Sequence, residues 1–564
     1  MVPRFLKLLN RDVTTMNQAA LVLGVFSLAS QIFGLLRDHL LASRVGPSAT
    51  LDVYYAAFRI PDFIYSSIAV LFSVTVIIPF ITGYVNKDSE DYISLKKFSN
   101  SIFSLYCMGM VVVCVIAFFL MPYLTRLTAP GFTMAQHIDL VLYSRIMLLS
   151  PFLMGLSSLL GSFAQVQKKF FSFAIAPLFY NIGILTGVIV LLPMWGMVGV
   201  VLGVVFGAIL HLTIQLPTLV SLQKLPSLTR DIDWSVMKKV VTLSLPRTLA
   251  SSLTNITFLM ISAIASLLVA GSISVFQFSY NIQTTPLMII GISYAIAAFP
   301  TMSRLYAEKQ TKEFVDLIHR ATRNIFFLSI PAAFFIIVLR AQIVRVLLGA
   351  GVFSWNDTRL VAASLALFCI SVTAQCMILL LVRGFYAMGN TKTPLKINAW
   401  SVAVTAVAAG VLLLAYRDMP MFRDFLESLL RIDGTTGGSV VLLSLAFSIG
   451  QIVNACLLWN HFHKNVEGTK VETRELGRAL FHTIGAGLIA SSAIYGMLLL
   501  ISSGVDQGTF WGILAQGLIS GTVGIALYGI ILSALKNEDI SLFVATLKSK
   551  FWKQKPLVMQ QPDL

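Results

Sequence analysis

Four arginines stand inside stretches that are otherwise strongly apolar: Arg37, Arg59, Arg145 and Arg247. An arginine at mid-bilayer costs roughly 2.5–3.5 kcal/mol on insertion scales, so such residues face a watery cavity, pair with a partner or snorkel to the surface. Arg37 is followed at once by Asp38. Arg59 precedes Asp62 by three residues and shares a helical face with it, and Asp52 lies at the entrance to the same helix. One chemistry open to this set is capture of an anionic head group, because the guanidinium fork matches phosphate oxygens. The structural alternative is an ion pair between two helices. Arg145, about eight residues into its helix, is also placed to snorkel, and Arg247, directly after Pro246 in a long helix, is a further binding candidate.

Little else in the chain offers chemistry. His211 is a candidate proton carrier or a satisfied core histidine, while His461 and His463 fall at a predicted loop where solvent holds them. Cys107, Cys114, Cys369, Cys376 and Cys456 all lie in apolar runs without metal-ligand spacing and read as small buried hydrophobes. The Gly-rich nucleotide loop ending in Lys-Ser/Thr is absent, which excludes P-loop hydrolysis. No cofactor and no metal site is read from the sequence.

The elements that must position these residues follow from composition. Of 564 residues, 57% are hydrophobic and 12% charged, against about 25% charged in soluble domains. Apolar runs of the roughly 20 residues needed to span a bilayer recur from Ala19 to Leu535, leaving no room for a soluble domain. The runs are continuous rather than alternating, which excludes a β-barrel. The expected fold is an all-α polytopic membrane protein of about fourteen helices, near 17–40, 53–84, 98–122, 137–165, 170–193, 196–222, 235–268, 272–303, 314–339, 358–388, 393–416, 438–462, 476–502 and 508–535. The segment Met1 to Asn17 is basic and is followed by no small-residue cleavage site, so the first helix is expected to be retained. The net charge of +16 is topological: with the N-terminus in the cytoplasm, most Lys and Arg fall on that side, among them Lys168, Lys169, Lys238, Lys239, Arg320, Arg323, Arg383, Lys392 and the tail from Lys548 to Lys555. The positive-inside rule then places both termini in the cytoplasm, and no nucleic-acid partner is expected.

The halves carry matching landmarks. Pro61 and Pro79 correspond to Pro286 and Pro300, and Gly161, Phe163, Ala164 and Lys169 to Gly384, Tyr386, Ala387 and Lys392, at a shared offset of about 223 residues. That offset spans six helices and implies two pseudo-symmetric six-helix bundles in the same orientation, residues 1–222 and then 223–416 with 438–465. Two extra helices occupy 474–537, and 538–564 is a basic cytoplasmic tail. Prolines 61, 151, 246, 286 and 331 fall within spans, where each removes a backbone hydrogen bond and favours a kink.

The stretch FGLLRDHLLASRVGPSATLDVYYAAFRIPD from Phe33 to Asp62 resembles the first two helices of the MurJ (MviN) lipid II flippases, within the multidrug/oligosaccharidyl-lipid/polysaccharide (MOP) exporter superfamily. So do SRIMLLSPFLMGLSSLLGSFAQVQKKFFSFAIAPLFYNIGI from Ser144 and SLPRTLASSLTNI from Ser244. The most family-specific segments are GAGVFSWNDTRLVAASLALF from Gly349 and RGFYAMGNTKTPLKI from Arg383. The resemblance, over about residues 20–465, implies two lobes around a central cavity with alternating access, and a groove for a polyprenyl tail in the last two helices. It implies that Arg37, Asp38, Asp52, Arg59 and Asp62 match polar positions of the cavity, with Arg247 and Asn281 as further substrate-binding candidates. Gln31, Tyr65, Ser66 and Asn281 stand where many members carry basic residues, so this cavity is expected to be less cationic.

The implied activity is translocation of lipid II, an undecaprenyl-pyrophosphate-linked disaccharide-peptide, from the cytoplasmic to the outer leaflet of the bacterial inner membrane. It is a transport function, not an enzymatic one. A coupling cation, Na⁺ or H⁺, is implied without a readable site; membrane lipids and cell-wall synthesis proteins are candidate partners. The alternatives are an exporter of another lipid-linked oligosaccharide, a drug/cation antiporter, a partner that has lost transport, and a membrane glycosyltransferase. The last needs a large extracytoplasmic catalytic loop, whereas the longest such loop, Tyr416 to Gly438, mixes Asp418, Asp424, Glu427 and Asp433 with arginines.

Overall fold

The computed structural model describes residues 16–68, 71, 90–166, 169–221, 226–466, 473–537 and 540–541. The later part of the expected helix 53–84 with Pro79, together with Lys168 and the basic tail from Lys548, lies outside the described residues. Among the described residues there are helices and no strands, as a bilayer demands, because backbone groups with no water to bond must bond within their own segment. Each of the fourteen expected stretches carries helix over its described part. Among the described residues, ten helices are long and apolar enough to cross a membrane, and Trp355–Cys369 with Val372–Ala387 forms a further pair bent by 45°.

Three features of the sequence shape these helices. The first is proline. Pro61 lacks the N–H that would bond the carbonyl four residues back, and the second helix breaks at Phe58 into Ala49–Ala57 and Arg59–Ser67. A π-helical turn, Leu287–Ile292, follows directly on Pro286. The second is glycine spacing. A Cβ on Gly183 would come within 2.2 Å of the Gly207 Cα, and one on Gly203 within 2.5 Å of the Gly187 Cα. The helices Phe170–Thr186 and Met197–Thr213 therefore pack backbone to backbone through small residues four apart, the arrangement that lets membrane helices gain dispersion contact. The third is a short helix, Pro420–Leu430, inside the segment read from sequence as a loop. Pro420 supplies a preset φ at its start, Leu426 and Leu430 are buried, and Met421, Phe425 and Leu429 are exposed. It ends at Arg431 in the left-handed region.

The chain divides into two compact units. The first comprises 1–282, 347–364 and 391–450, the second 283–346, 365–390 and 451–564. Within the first, one core of buried residues joins Ile60, Ile102, Tyr106, Leu159 and Val240, and the Tyr106 hydroxyl donates to the Phe152 carbonyl at 2.7 Å. Within the second, the helices Thr473–Ser502 and Phe510–Ala534 bury Ala486, Ala490, Tyr528 and Leu532 against Phe327, and the Tyr528 hydroxyl donates to the Phe327 carbonyl at 2.8 Å.

Candidate functional site

Three helices of the first unit bring the intramembrane charges together. Met16–Arg44 supplies Arg37 and Asp38, and Arg59–Ser67 presents Arg59 at its first residue because of the break at Phe58. Ser272–Pro286 supplies Gln277 and Asn281, one turn apart on one face. Arg37 Nε donates to Asp38 Oδ1 at 3.0 Å, and its Nη2 lies 2.9 Å from the same oxygen. Asn281 Nδ2 donates to Asp38 Oδ2 at 2.8 Å, Gln277 Nε2 donates to Asn281 Oδ1 at 2.8 Å, and Arg59 Nη2 donates to Gln277 Oε1 at 3.0 Å. A continuous chain therefore runs from Arg37 through Asp38, Asn281 and Gln277 to Arg59. Its ends fix the amides: the carboxylate only accepts and the guanidinium only donates, so each amide has one orientation that satisfies both neighbours.

The two arginines differ in what they have left. Arg37 shares its charge with Asp38 and keeps 22% of its side chain exposed. Arg59 is 8% exposed, and its hydrogen-bond partner, Gln277, is neutral. Its Nε is buried without a partner, and the guanidinium carbon sits 5.4 Å from the centre of the Phe258 ring. The ring face stabilises a cation without neutralising it. Arg59 is thus a buried charge with no carboxylate within ion-pair distance among the described residues. Sequence reasoning missed Gln277 and Phe258, although Gln277 and Asn281, four apart in an apolar helix, were a readable sign of a polar face.

The other candidates fall elsewhere. The Asp52 carboxylate takes hydrogen bonds from Gly271 N at 2.7 Å, Ser274 N at 2.8 Å and Ser274 Oγ at 2.6 Å. It is an anion set on the start of Ser272–Pro286, where free N–H groups and the helix dipole favour negative charge, and it anchors the helix that carries Gln277 and Asn281. Asp62 is exposed and its carboxylate joins no hydrogen bond or ion pair among the described residues, although it lies in the field of Arg59. Arg247 falls in Trp234–Ser266, and its side chain is outside those described. Two of the positions read as departures from the family's basic residues make neutral bonds: Tyr65 Oη to Ser158 Oγ at 3.1 Å, and Ser66 Oγ to the Phe63 carbonyl at 3.0 Å. His211 Nδ1 lies 2.8 Å from Ser157 Oγ in a buried cluster with Gln215. No three His, Cys, Asp or Glu side chains converge as metal ligands among the described residues.

Likeness to solved structures agrees on the fold of these membrane helices. The chain superposes on a structure titled "Lipid II flippase MurJ, inward closed conformation" with a TM-score of 0.71 at 19% identity, covering 92% of this chain and 100% of that one. It superposes on an inward-facing MATE-family multidrug transporter of the MOP superfamily with a TM-score of 0.63 at 13% identity, covering 79% and 96%. In sequence it is 28% identical over 407 residues to a probable lipid II flippase MurJ of Rhizobium tropici, covering 70% of this chain and 74% of that protein. The family described as "Lipid II flippase MurJ" matches residues 41–515. The chain belongs to the MurJ lipid II flippase family and is a multi-pass protein of the bacterial inner membrane.

Proposed function

We propose that this chain carries lipid II from the cytoplasmic to the outer leaflet by alternating access, with both termini in the cytoplasm. The observation that carries the reading is Arg59, a membrane-buried cation whose near neighbours are a neutral amide and an aromatic ring. A pyrophosphate bearing about two negative charges cannot cross hydrocarbon unaided, and a cation held without its own counter-ion suits such a group. Arg37, the more accessible of the two, makes the first contact; Asp38, Asn281 and Gln277 fix its geometry and that of Arg59. Asp52 acts at one remove by holding the helix of the amides, and Asp62 and Arg247 complete the set of substrate-facing candidates. The two-bundle division at residue 222 and a polyprenyl groove in residues 474–537 belong to the same reading, as does a coupling cation, H⁺ or Na⁺, that resets the empty carrier. Cell-wall synthesis enzymes that use lipid II at the outer leaflet are the partners it implies.

Relatives that carry the lipid II flippase name favour this cargo over the drugs of the MATE transporters, whose likeness extends to fold alone. Complementation tests it: the chain is expressed in bacteria depleted of their own lipid II flippase, and survival is scored beside membrane abundance. Rescue by the wild type, lost in Arg37→Glu at equal abundance, is the expected result. Rescue retained by Arg37→Glu would remove that residue from the site, and failure of the wild type despite good insertion would move the cargo to another lipid-linked oligosaccharide.

A further inference from the structure

On the first unit, the helices Glu90–Thr128 and Met134–Met147, joined by a short turn, and the start of Leu149–Val166 border a groove of about 590 Å³. Its walls include Val111, Val115, Phe118, Phe119 and Leu149, and one charged side chain, Arg145. Phe119 is 69% exposed and Val111, Val115 and Leu149 about half exposed, so this face meets lipid. Arg145 Nε donates to the Phe118 carbonyl at 3.0 Å, and its guanidinium carbon sits 4.5 Å from the centre of the Phe118 ring. Those contacts hold the group in place, yet Nη1 and Nη2 find no acceptor, and no carboxylate lies within ion-pair distance among the described residues.

An uncompensated guanidinium in a hydrocarbon wall is costly and calls for an anion. The groove restricts which anion. Apart from Arg145 its lining is apolar, so a ligand must bring hydrocarbon as well as charge, and a free phosphate gains nothing from Val111, Val115 or Phe119. Arg145 lies six residues farther from the turn than the exposed Asp139 on the same helix, about 9 Å along the axis at 1.5 Å per residue. A long side chain in a helix leans back toward the helix N-terminus, which brings the guanidinium toward the head-group level. We propose that this groove holds one anionic glycerophospholipid, its phosphate on the Nη groups of Arg145 and an acyl chain along Val111, Val115 and Phe119. In the orientation proposed above, the lipid belongs to the outer leaflet. The site is separate from the Arg37–Arg59 chain, and its test does not depend on the cargo.

The test uses the full chain purified in mild detergent and offered equal amounts of phosphatidylglycerol and phosphatidylcholine of matched acyl chains, with bound lipid read by native mass spectrometry. Wild-type protein should retain phosphatidylglycerol about tenfold over phosphatidylcholine, the effect of one or two hydrogen bonds to a charged group. Arg145→Gln should abolish the preference. Val115→Trp, which fills the groove and leaves the charge, should lower retention of both lipids, and it keeps the test decisive if the Arg145 variant does not fold. Equal retention of the two lipids by wild type, an unchanged preference in Arg145→Gln, or displacement of phosphatidylglycerol by millimolar inorganic phosphate would each overturn the proposal, the last by revealing a site for free anions.

Discussion

Changing Gln277 to Glu separates what the amide chain does for the fold from what it leaves for a ligand. Gln277 Oε1 accepts from Arg59 at 3.0 Å, and Nε2 donates to Asn281 at 2.8 Å. The substitution keeps an acceptor in place and supplies the carboxylate that Arg59 lacks. Two unit charges about 4 Å apart interact by about 4 kcal/mol at an effective dielectric of 20. The lost donation to Asn281 costs about 1 kcal/mol, so the folded state is retained. An anionic head group must now compete with the new carboxylate for Arg59. If it forfeits only half of that interaction, about 2 kcal/mol, binding weakens roughly 30-fold. The assay is complementation in flippase-depleted bacteria, with membrane abundance and the melting temperature of the purified protein measured alongside. Gln277→Glu should melt at or above the wild type and fail to support growth. Gln277→Leu, which strands both Arg59 and Asn281, should lower the melting temperature and growth together. Wild-type growth by Gln277→Glu at normal abundance refutes the idea that the uncompensated charge of Arg59 receives the substrate.

Three further outcomes follow from the packing. Asp52→Ala removes three hydrogen bonds from the start of Ser272–Pro286 and should destabilise the protein by about 3 kcal/mol, read as a lower melting temperature, with Asp52→Asn intermediate. Gly183→Leu drives a side chain into the Gly207 backbone, which a Cβ alone already meets at 2.2 Å, and should cut the yield of folded protein in the membrane. Tyr528→Phe loses the bond to the Phe327 carbonyl and should cost about 1 kcal/mol in thermal stability while leaving complementation intact.

What was legible in the sequence, and what was not, divides along the range of the forces involved. Arg37, Asp38 and Arg59 announced themselves because a charge in an apolar run is costly wherever the chain folds. The break at Phe58 was legible in Pro61, since the missing N–H is a local fact. Gln277 was not singled out: a neutral amide costs little to insert, and only its contact with Arg59, 218 residues away, gives it meaning. Asp52 looked like a cavity residue for the same reason. A carboxylate reads as a ligand group until its partner is known, and here the partner is a helix start 219 residues on. The helix Pro420–Leu430 was within reach, because Pro420 and the four-residue spacing of Met421, Phe425 and Leu429 spell an amphipathic turn. Charges in the same segment favoured reading it as loop. The π-turn at Gly187–Leu191, unlike the one that follows Pro286, has no proline directly before it to announce it.

On the proposed function, a site with fewer basic residues is not a weaker one for this cargo. Formally, Arg37 and Arg59 are balanced by Asp38 and Asp62. A site of zero net charge adds nothing to the electrical work of either half of the cycle. A lipid-linked pyrophosphate with about two negative charges then keeps its whole outward driving force, about 2.3 kcal/mol per charge for each 100 mV, inside negative. A site with surplus arginines that moved through the field with its cargo would cancel part of that gain on the loaded stroke. On the proposed reading the arrangement gives local attraction without global charge: Arg59 has no carboxylate at contact distance, so its field is free to act on a phosphate brought beside it. The carboxylate of Asp62 neutralises the sum from farther off. Attraction at short range depends on individual separations, whereas work against the membrane potential depends only on the total. That difference lets one small set of side chains bind an anion and still let the voltage move it.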